Sequence, residues 1–346
     1  MTNYIIRRLL ILPLILFGVT LLIFLMLTQL SPGQRLAAYQ GDAARPGHED
    51  ELIKRYGLDK PIYVQYAAWI GKIAHGDLGF SKTGKERVTV MIRRLFPATL
   101  ELALWSTIPL IPLSVWLGMQ AALQHNKPTD QFLRLVSILG TSVPAFVSAL
   151  LLLMVFGAML KVLPTGGRLY PTTQRLVDSS AWTNAWAPAT GLITVDALLR
   201  GNFEVLWDAL RHLVMPVVTL SALNSAVLLR VTRSSMLDTL RQDYVRTAMA
   251  KGLSYREVVR KHARPNALLP VITQGGLLLV SLMGGAAITE TIFDWPGIGR
   301  RVIQSAGNLD VVTVLGLVMF LAVLLIVGNL IVDVLYAVVD PRIRLS

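Results

Sequence analysis

The chain has 346 residues, 53% of them hydrophobic and only 16% charged, with a net charge of +12. Soluble domains carry roughly 25% charged residues, so this composition excludes an ordinary soluble globular protein and places the chain in a bilayer. Cysteine is absent and the five histidines form no HExxH or paired spacing, which excludes disulfides, a thiol nucleophile and a recognisable metal motif.

The positive balance has no basic–aromatic module beside it, which speaks against nucleic acid. In a membrane chain Lys and Arg gather on the cytoplasmic side and face acidic lipid. Arg7 and Arg8 precede an apolar run over 9–30. That run is longer than the core of a signal peptide and ends in Gln29-Leu30-Ser31-Pro32-Gly33 without a small-residue cleavage site, so it reads as a retained first span. Residues 31–97 turn polar. Helical character over 48–56 gives way to a turn at Gly57-Leu58-Asp59-Lys60-Pro61. Tyr63, Tyr66, Trp69 and Ile70 then fit an amphipathic helix at interface depth, followed by a loop over 76–81. A packed extracytoplasmic cap and a docking surface are both open for this segment.

Span two is expected over 98–123, with Pro109 and Pro112 inside it, which membrane helices tolerate. A short loop, 124–131, leads to span three over 132–160. Gly140, Thr141, Ser142 and Pro144 cluster near its mid-depth. Such residues serve either helix packing or the lining of a water-filled path. Residues 161–210 form a second polar segment with Trp182, Trp186 and Trp207. Span four is expected over 211–231, with His212 at its mouth and Asn224 within.

The loop 233–266 is a basic island with its own helix punctuation. Leu240, Tyr244 and Ala248 share i, i+4 spacing, so they predict an apolar face. Gly252 can take the left-handed conformation that ends a helix. Ser254 precedes Glu257 by three residues, a capping-box pattern that starts a second helix, and Pro265 is expected to close it. Together these predict a compact helix–Gly–helix elbow. Span five, 267–289, carries Gln274 and a Ser281/Gly285 pair suited to close helix contact. A loop over 290–310 holds Phe293-Asp294-Trp295-Pro296-Gly297, span six follows over 311–337, and Asp340-Pro341-Arg342-Ile343-Arg344 forms the tail.

Six spans put both termini and the loops 124–131 and 233–266 on one side. The second loop carries eight Lys or Arg, from Arg233 to Arg264, against Asp238, Asp243 and Glu257, so that side is cytoplasmic by the positive-inside rule. Glu101, Glu290 and Asp333 are the only acids in or near spans, and all read as helix-end or interface charges. An ion-coupled carrier needs a mid-span acid, and a membrane enzyme needs a nucleophile with a base or a metal. The chain shows neither, which points to a permease driven from outside.

At the elbow the sequence resembles the loop that inner-membrane permeases of ABC importers present to their ATPases: Glu-Ala-Ala, three residues, Gly, nine residues, Ile-x-Leu-Pro. Here Thr247-Ala248 stand at the alanines, Gly252 at the Gly and Pro265 at the last Pro, while Arg246, His262 and Arg264 depart from the pattern. The dipeptide/oligopeptide/nickel permease subgroup fits more fully. Asp243-Tyr244-Val245-Arg246-Thr247-Ala248, Ala250-Lys251-Gly252-Leu253 and Arg233-Ser234-Ser235-Met236-Leu237 look like its own motifs. So do Gly76-Asp77-Leu78-Gly79, Thr289-Glu290-Thr291-Ile292-Phe293 and the tail, and the long 161–210 segment looks most like a dipeptide permease of the first-subunit type. Gln34 stands where the subgroup has an acid.

The resemblance implies an all-α polytopic membrane protein of the type I ABC importer permease fold, with six transmembrane helices and extracytoplasmic loop segments. Residues 1–30 would form the first span, 31–97 an outer segment, and 98–346 the core permease domain. It implies a bacterial inner membrane location with both termini cytoplasmic. The partners would be a second homologous permease, two ABC ATPase subunits and an extracytoplasmic solute-binding protein, with a peptide as substrate and nickel, glutathione or opines as alternatives. ATP and Mg would sit on the ATPases, leaving this chain without cofactor or catalysis. Asp243, Tyr244, Arg246, Thr247, Ala248, Lys251, Gly252, Ser254, Glu257, His262 and Pro265 would make the ATPase contact. Thr141, Ser142, Pro144, Asn224 and Gln274 are the candidates for lining the path, and Arg168 is one of several cations that a peptide carboxylate would suit.

Overall fold

The computed structural model describes residues 2–31, 35–36, 49–179, 182, 189–284 and 286–339. Most of them are helical. α1 (Thr2–Thr28), α2 (Glu49–Tyr56) and α3 (Ile62–Ala74) precede a two-stranded hairpin, β1 (Phe80–Ser81) with β2 (Glu86–Arg87). The turn before α3 is where the sequence put it, with Gly57 at φ +66°. The hairpin is an addition that the sequence does not announce. The tail from 340 onward and Gly285 of the Ser281/Gly285 pair lie outside the described residues.

α4 (Val88–Leu123) and α9 (Phe203–Leu240) form the axis of the bundle. Both exceed their expected spans: α4 starts ten residues before 98, and α9 has 38 residues. At 1.5 Å per residue α9 is roughly 57 Å long, about twice the hydrocarbon thickness of a bilayer, so it projects beyond the apolar layer. Ala98, Leu102 and Ala103 of α4 pack against Leu213 and Leu220 of α9, with Trp295 closing the cluster. Lower down Leu110, Leu228 and Val271 meet. The two axes touch closely at Gly118, where an added Cβ would lie 2.6 Å from Thr232 Cβ and 2.7 Å from the Leu229 carbonyl oxygen. Ser221 donates to the Ser106 carbonyl across the same interface at 2.9 Å.

Span three is not one helix. α5 (Pro128–Ser142) and α6 (Ala145–Leu152) meet at a 95° bend over Val143–Pro144, and α6 runs on as a π-helical segment, Leu153–Met159. The apolar run 132–160 hides this break. Pro144 disfavours the helical region for the residue before it, and Val143 is accordingly extended. Span five is also shorter than expected. α12 (Leu269–Met283) ends at Gly284, and Thr289-Glu290 belongs to a separate short helix, α13 (Ala287–Ile292). α14 (Ile298–Gly307) and α15 (Val311–Val339) complete the described residues, and the segment 161–210 holds α7 (Pro171–Val177) and α8 (Ile193–Leu199). Four helices are long and apolar enough to cross a membrane among the described residues, and the two bent pairs raise that number to as many as six.

The acids are placed differently from the sequence reading. Glu101 and Glu290 are not interface charges but are 2% and 0% exposed. Glu101 is paired with Arg168 and accepts from the backbone N–H and hydroxyl of Thr194, both at 2.7 Å. Arg168 is therefore held by the protein's own carboxylate, with a second bond to the Gly191 carbonyl. Glu290 accepts from the Thr99 hydroxyl at 2.8 Å and from the backbone N–H of Arg300 at 2.8 Å. It thereby caps α14 from the side, and Thr99 in turn accepts from the Ile298 N–H. Asp333 is half-buried on α15.

Asp310, outside the spans, closes the hairpin onto the bundle. Its carboxylate accepts from the Ser81 and Thr83 hydroxyls, both at 2.9 Å, and from the Thr83 N–H at 3.0 Å. Burial pushes this carboxyl up, but the bonds from Thr83, Thr313 and Ser81 outweigh it and hold the group below the usual Asp range. A depressed acid stabilises the fold at any pH above its unfolded value and loses that contribution as pH falls through the folded value. Hydrogen exchange of the 80–87 amides should therefore stay slow at neutral pH and accelerate only below about pH 4. In Asp310→Asn the amides should exchange faster at all pH values, by an opening cost lowered about 1–3 kcal/mol.

Candidate functional site

α9 ends at Leu240, and Gln242 is extended, so the chain turns and restarts as α10 (Asp243–Ala250). Asp243 sits in the first turn of α10, where the helix dipole favours an acid. Its contact with Arg246 at 3.6 Å joins two highly exposed groups and contributes little. The Thr247 hydroxyl is turned inward on the Asp243 carbonyl at 2.9 Å. Gly252 takes φ +85° with its N–H on the Met249 carbonyl at 3.0 Å, which is the left-handed stop the sequence calls for. Ser254 then accepts from the Glu257 N–H at 3.4 Å and donates to the Glu257 carboxylate at 3.0 Å. Both caps are in place.

The apolar face of the elbow differs from the expected one. Val245 and Ala248 are buried with Val258 and Leu253, a small core between the two short helices. Tyr244 is 39% exposed and lines a cavity with Ser234 and Asp238 of α9 and with Asn266, Leu269 and Pro270. Leu240 belongs to α9 and packs with Met236 and Leu237, so the i, i+4 series drawn from it does not run on into α10, where Val245 and Ala248 form the buried face.

Pro265 does not close the second helix. α11 (Tyr255–Ala267) passes through a π-helical turn, Val259–Ala263, and continues across Arg264 and Pro265. A proline inside a regular α-helix clashes with the carbonyl four residues back. The wider π turn just before it relieves that clash. Only at Leu268 does the direction change, by 44°, into α12.

The elbow is seated on the bundle. Ala263 and Ala267, with Val259, pack on Met236, Leu237 and Leu240 of α9 and on Ala122 and Leu123 of α4. The small side chains allow close approach, and Ser235 donates to the Ala267 carbonyl at 2.8 Å. Asn266 donates to the His262 carbonyl at 2.8 Å, and His262 itself is half-buried. Arg246, Lys251, Arg256 and Arg264 of the elbow are exposed, as are Met249 and Tyr255 at 40% and 53%. Met249 and Tyr255 were not singled out from the sequence. The buried pair Val245/Ala248 is the signal that would have found Met249, since it turns that residue outward.

The path candidates lie on three helices. Thr141 and Ser142 are exposed at the end of α5, with hydroxyls on the Ile138 carbonyl at 3.0 and 2.8 Å, and Pro144 is exposed at the bend. Asn224, half-buried on α9, donates to the Leu220 carbonyl at 2.8 Å. Gln274 is half-buried on α12. Each of these hydrogen bonds stays within its own helix. No group of three or more metal-ligating side chains occurs among the described residues.

Two family descriptions match this sequence: the binding-protein-dependent transport system inner membrane component over residues 111–345, and the N-terminal part of the same membrane component over residues 1–103. The chain is 41% identical over 345 residues to a di/tripeptide transport system permease protein, DppB, of Pseudomonas aeruginosa, covering 99% of each chain. It is 38% identical to a probable D,D-dipeptide transport system permease protein, DdpB, of Escherichia coli, over 96% of this chain and 94% of the relative. An oligopeptide transport system permease protein, AppB, of Bacillus subtilis is 37% identical over 99% of this chain and its own full length. The chain belongs to the binding-protein-dependent inner-membrane permease family.

The elbow's caps set its stiffness, and they can be removed singly. Gly252→Val puts a β-branched residue in the left-handed region and should destabilise the elbow by about 1–2 kcal/mol. Ser254→Ala should cost about 1 kcal/mol. Both should appear as faster amide exchange across 243–258, with the exchange of α4 and the upper part of α9 unchanged.

Proposed function

We propose that this permease carries peptides, as the names of its relatives say of them, and that it works as one membrane subunit of an ATP-driven importer. It is a non-catalytic, multi-pass inner-membrane subunit, and the sequence holds no GxxxxGK[ST] loop for nucleotide. ATP and Mg belong to two partner ATPases, and the translocation path forms against a second, similar permease. The bent pairs α5/α6 and α11/α12 complete six spans, with both termini inside, the segments 31–97 and 161–210 outside, and a solute-binding protein docking there.

The observation that carries this reading is the elbow. It is capped at both joints, has its own small core, and is seated on α9 and α4 by Ala263 and Ala267. Its exposed residues include Met249, Tyr255, Arg246 and Arg256, residue types that protein interfaces favour. Residues 246–264 would seat in a cleft of one ATPase, and closure of the ATPase pair would move them as a rigid body. The basic loop 233–266 sets this end of the molecule in the cytoplasm. Substrate choice would then lie mainly with the binding protein.

Two measurements test the reading. In vesicles holding the complete complex, labelled dipeptide or tripeptide should accumulate only with ATP inside and binding protein outside. Uptake that ignores either, or a preference for Ni²⁺ over every peptide, would overturn it. At the elbow, Tyr255→Asp or Met249→Asp should release the ATPase subunits from the purified complex, lowering their affinity about tenfold or more, whereas an acid placed on the outer helix α3 at Tyr63 should leave them bound.

A further inference from the structure

An ion pair outside the elbow ties a third helix to it. Arg233, seven residues before the end of α9, forks onto Asp130 in the first turn of α5, with Nε on Oδ1 at 2.7 Å and Nη2 on Oδ2 at 2.8 Å. The Asp130 side chain is fully buried and that of Arg233 is 18% exposed. Asp130 also accepts from the Asn126 N–H at 2.9 Å and has Arg134 Nε at 4.0 Å. Asn126 itself is left-handed at φ +63°. One carboxylate thus shapes the short 124–127 connection, starts α5 and grips the root of the elbow.

The other contacts between α5 and α9 are of a different kind. Gly140 faces Ala226 with room for a Cβ only at 3.4 Å, and Ser137 donates to the Ala226 carbonyl at 2.9 Å. Small-residue surfaces of this sort allow close packing, and the Ser137 bond adds one neutral hydrogen bond to it. A two-pronged Arg–carboxylate bond fixes both distance and angle, and breaking one partner of a buried pair is among the costliest single changes in a protein. The exposed Asp243–Arg246 contact has neither property.

Resting on the proposed importer function, we infer that Asp130 and Arg233 are positioning residues that carry the elbow's movement into α5. α5 has 15 residues, about 22 Å at 1.5 Å per residue, and its far end bears Thr141 and Ser142 beside the 95° bend at Pro144. A shift imposed on Arg233 at the cytoplasmic end therefore reaches the path candidates at mid-depth through one rigid helix. α12 receives the same movement by a separate route, the bend at Leu268. The pair makes the two routes move together.

The chain contains no cysteine, so Thr141→Cys gives it a single thiol. In the assembled complex, the maleimide labelling rate of this thiol should differ between the nucleotide-free state and the vanadate-trapped state. Asp130→Asn keeps the size and an oxygen for the Asn126 N–H but removes the charge. It should shrink that difference about fivefold or more, and the peptide imported per ATP hydrolysed should fall with it. Arg233→Lys keeps the charge without the fork and should give an intermediate loss. Either of two results would overturn the inference: a thiol indifferent to nucleotide with the native pair intact, or variants with lowered melting temperature and an undiminished difference. Failure of both variants to assemble would assign the pair to folding alone and overturn it as well. Nucleotide-dependent labelling in a complex that takes up no peptide would instead count against the substrate and leave the pair's role standing.

Discussion

The seat of the elbow on α9 is the contact on which the end of the molecule around residues 233–267 depends. It uses alanines, not leucines, at 263 and 267, and this choice has a mechanical consequence. Small side chains bring two helix backbones close together, so the interface has little side-chain freedom with which to absorb a displacement. The Ser235 bond to the Ala267 carbonyl fixes the register of that contact. A longer, greasier interface would bury more area and also yield more. Here the elbow inherits the stiffness of α9, whose length carries it well beyond the bilayer core.

The half that contains Glu101, Glu290 and Asp310 is held by another chemistry. Glu101, Glu290 and Asp310 each sit in the protein interior and each collects donors from a different segment. Glu101 joins α4 to the 161–210 segment, Glu290 joins α13 to α4 and α14, and Asp310 joins the hairpin to the start of α15. A buried carboxylate that loses its donors costs far more than an apolar contact that loosens. Segments tied in this way move together or not at all. The Glu101 site also decides what Arg168 does: its charge is already spent on a partner, with the guanidinium 5.7 Å from the Trp295 ring, and it is no longer open to an incoming carboxylate.

How much of this was legible in the sequence follows from the range of each interaction. The caps at Gly252 and Ser254 are local and were readable, as was the turn at Gly57. The first, second, fourth and last spans were readable from hydropathy, though the polar ends of α4 and α9 were not, because a helix outside the bilayer needs no apolar run. Pro265 misled because a single π turn relieves the clash that a proline normally causes. The carboxylate sites were invisible for a plainer reason. Glu101 meets Arg168 across 67 positions, Glu290 meets Thr99 across 191, and Asp310 meets Ser81 across 229. No local pattern encodes a partner at that separation, so such acids read as ordinary helix ends.

The break at Val143–Pro144 acquires its meaning from the two halves taken together. Above it, Glu101 and Glu290 tie the 161–210 segment and α13 to α4. Below it, α5 is joined to α9 by the Asp130 fork and by small-residue contact. A continuous helix spanning both halves would have to bend elastically whenever the lower half moved against the upper, and a straight α-helix resists this over its whole length. A 95° corner with an extended residue and a proline concentrates the change in two or three backbone dihedrals. The hydroxyls of Thr141 and Ser142 stay paired within α5, and the broken backbone at the corner is of the kind that a bilayer tolerates only where it is buried in protein or lines a water-filled cavity.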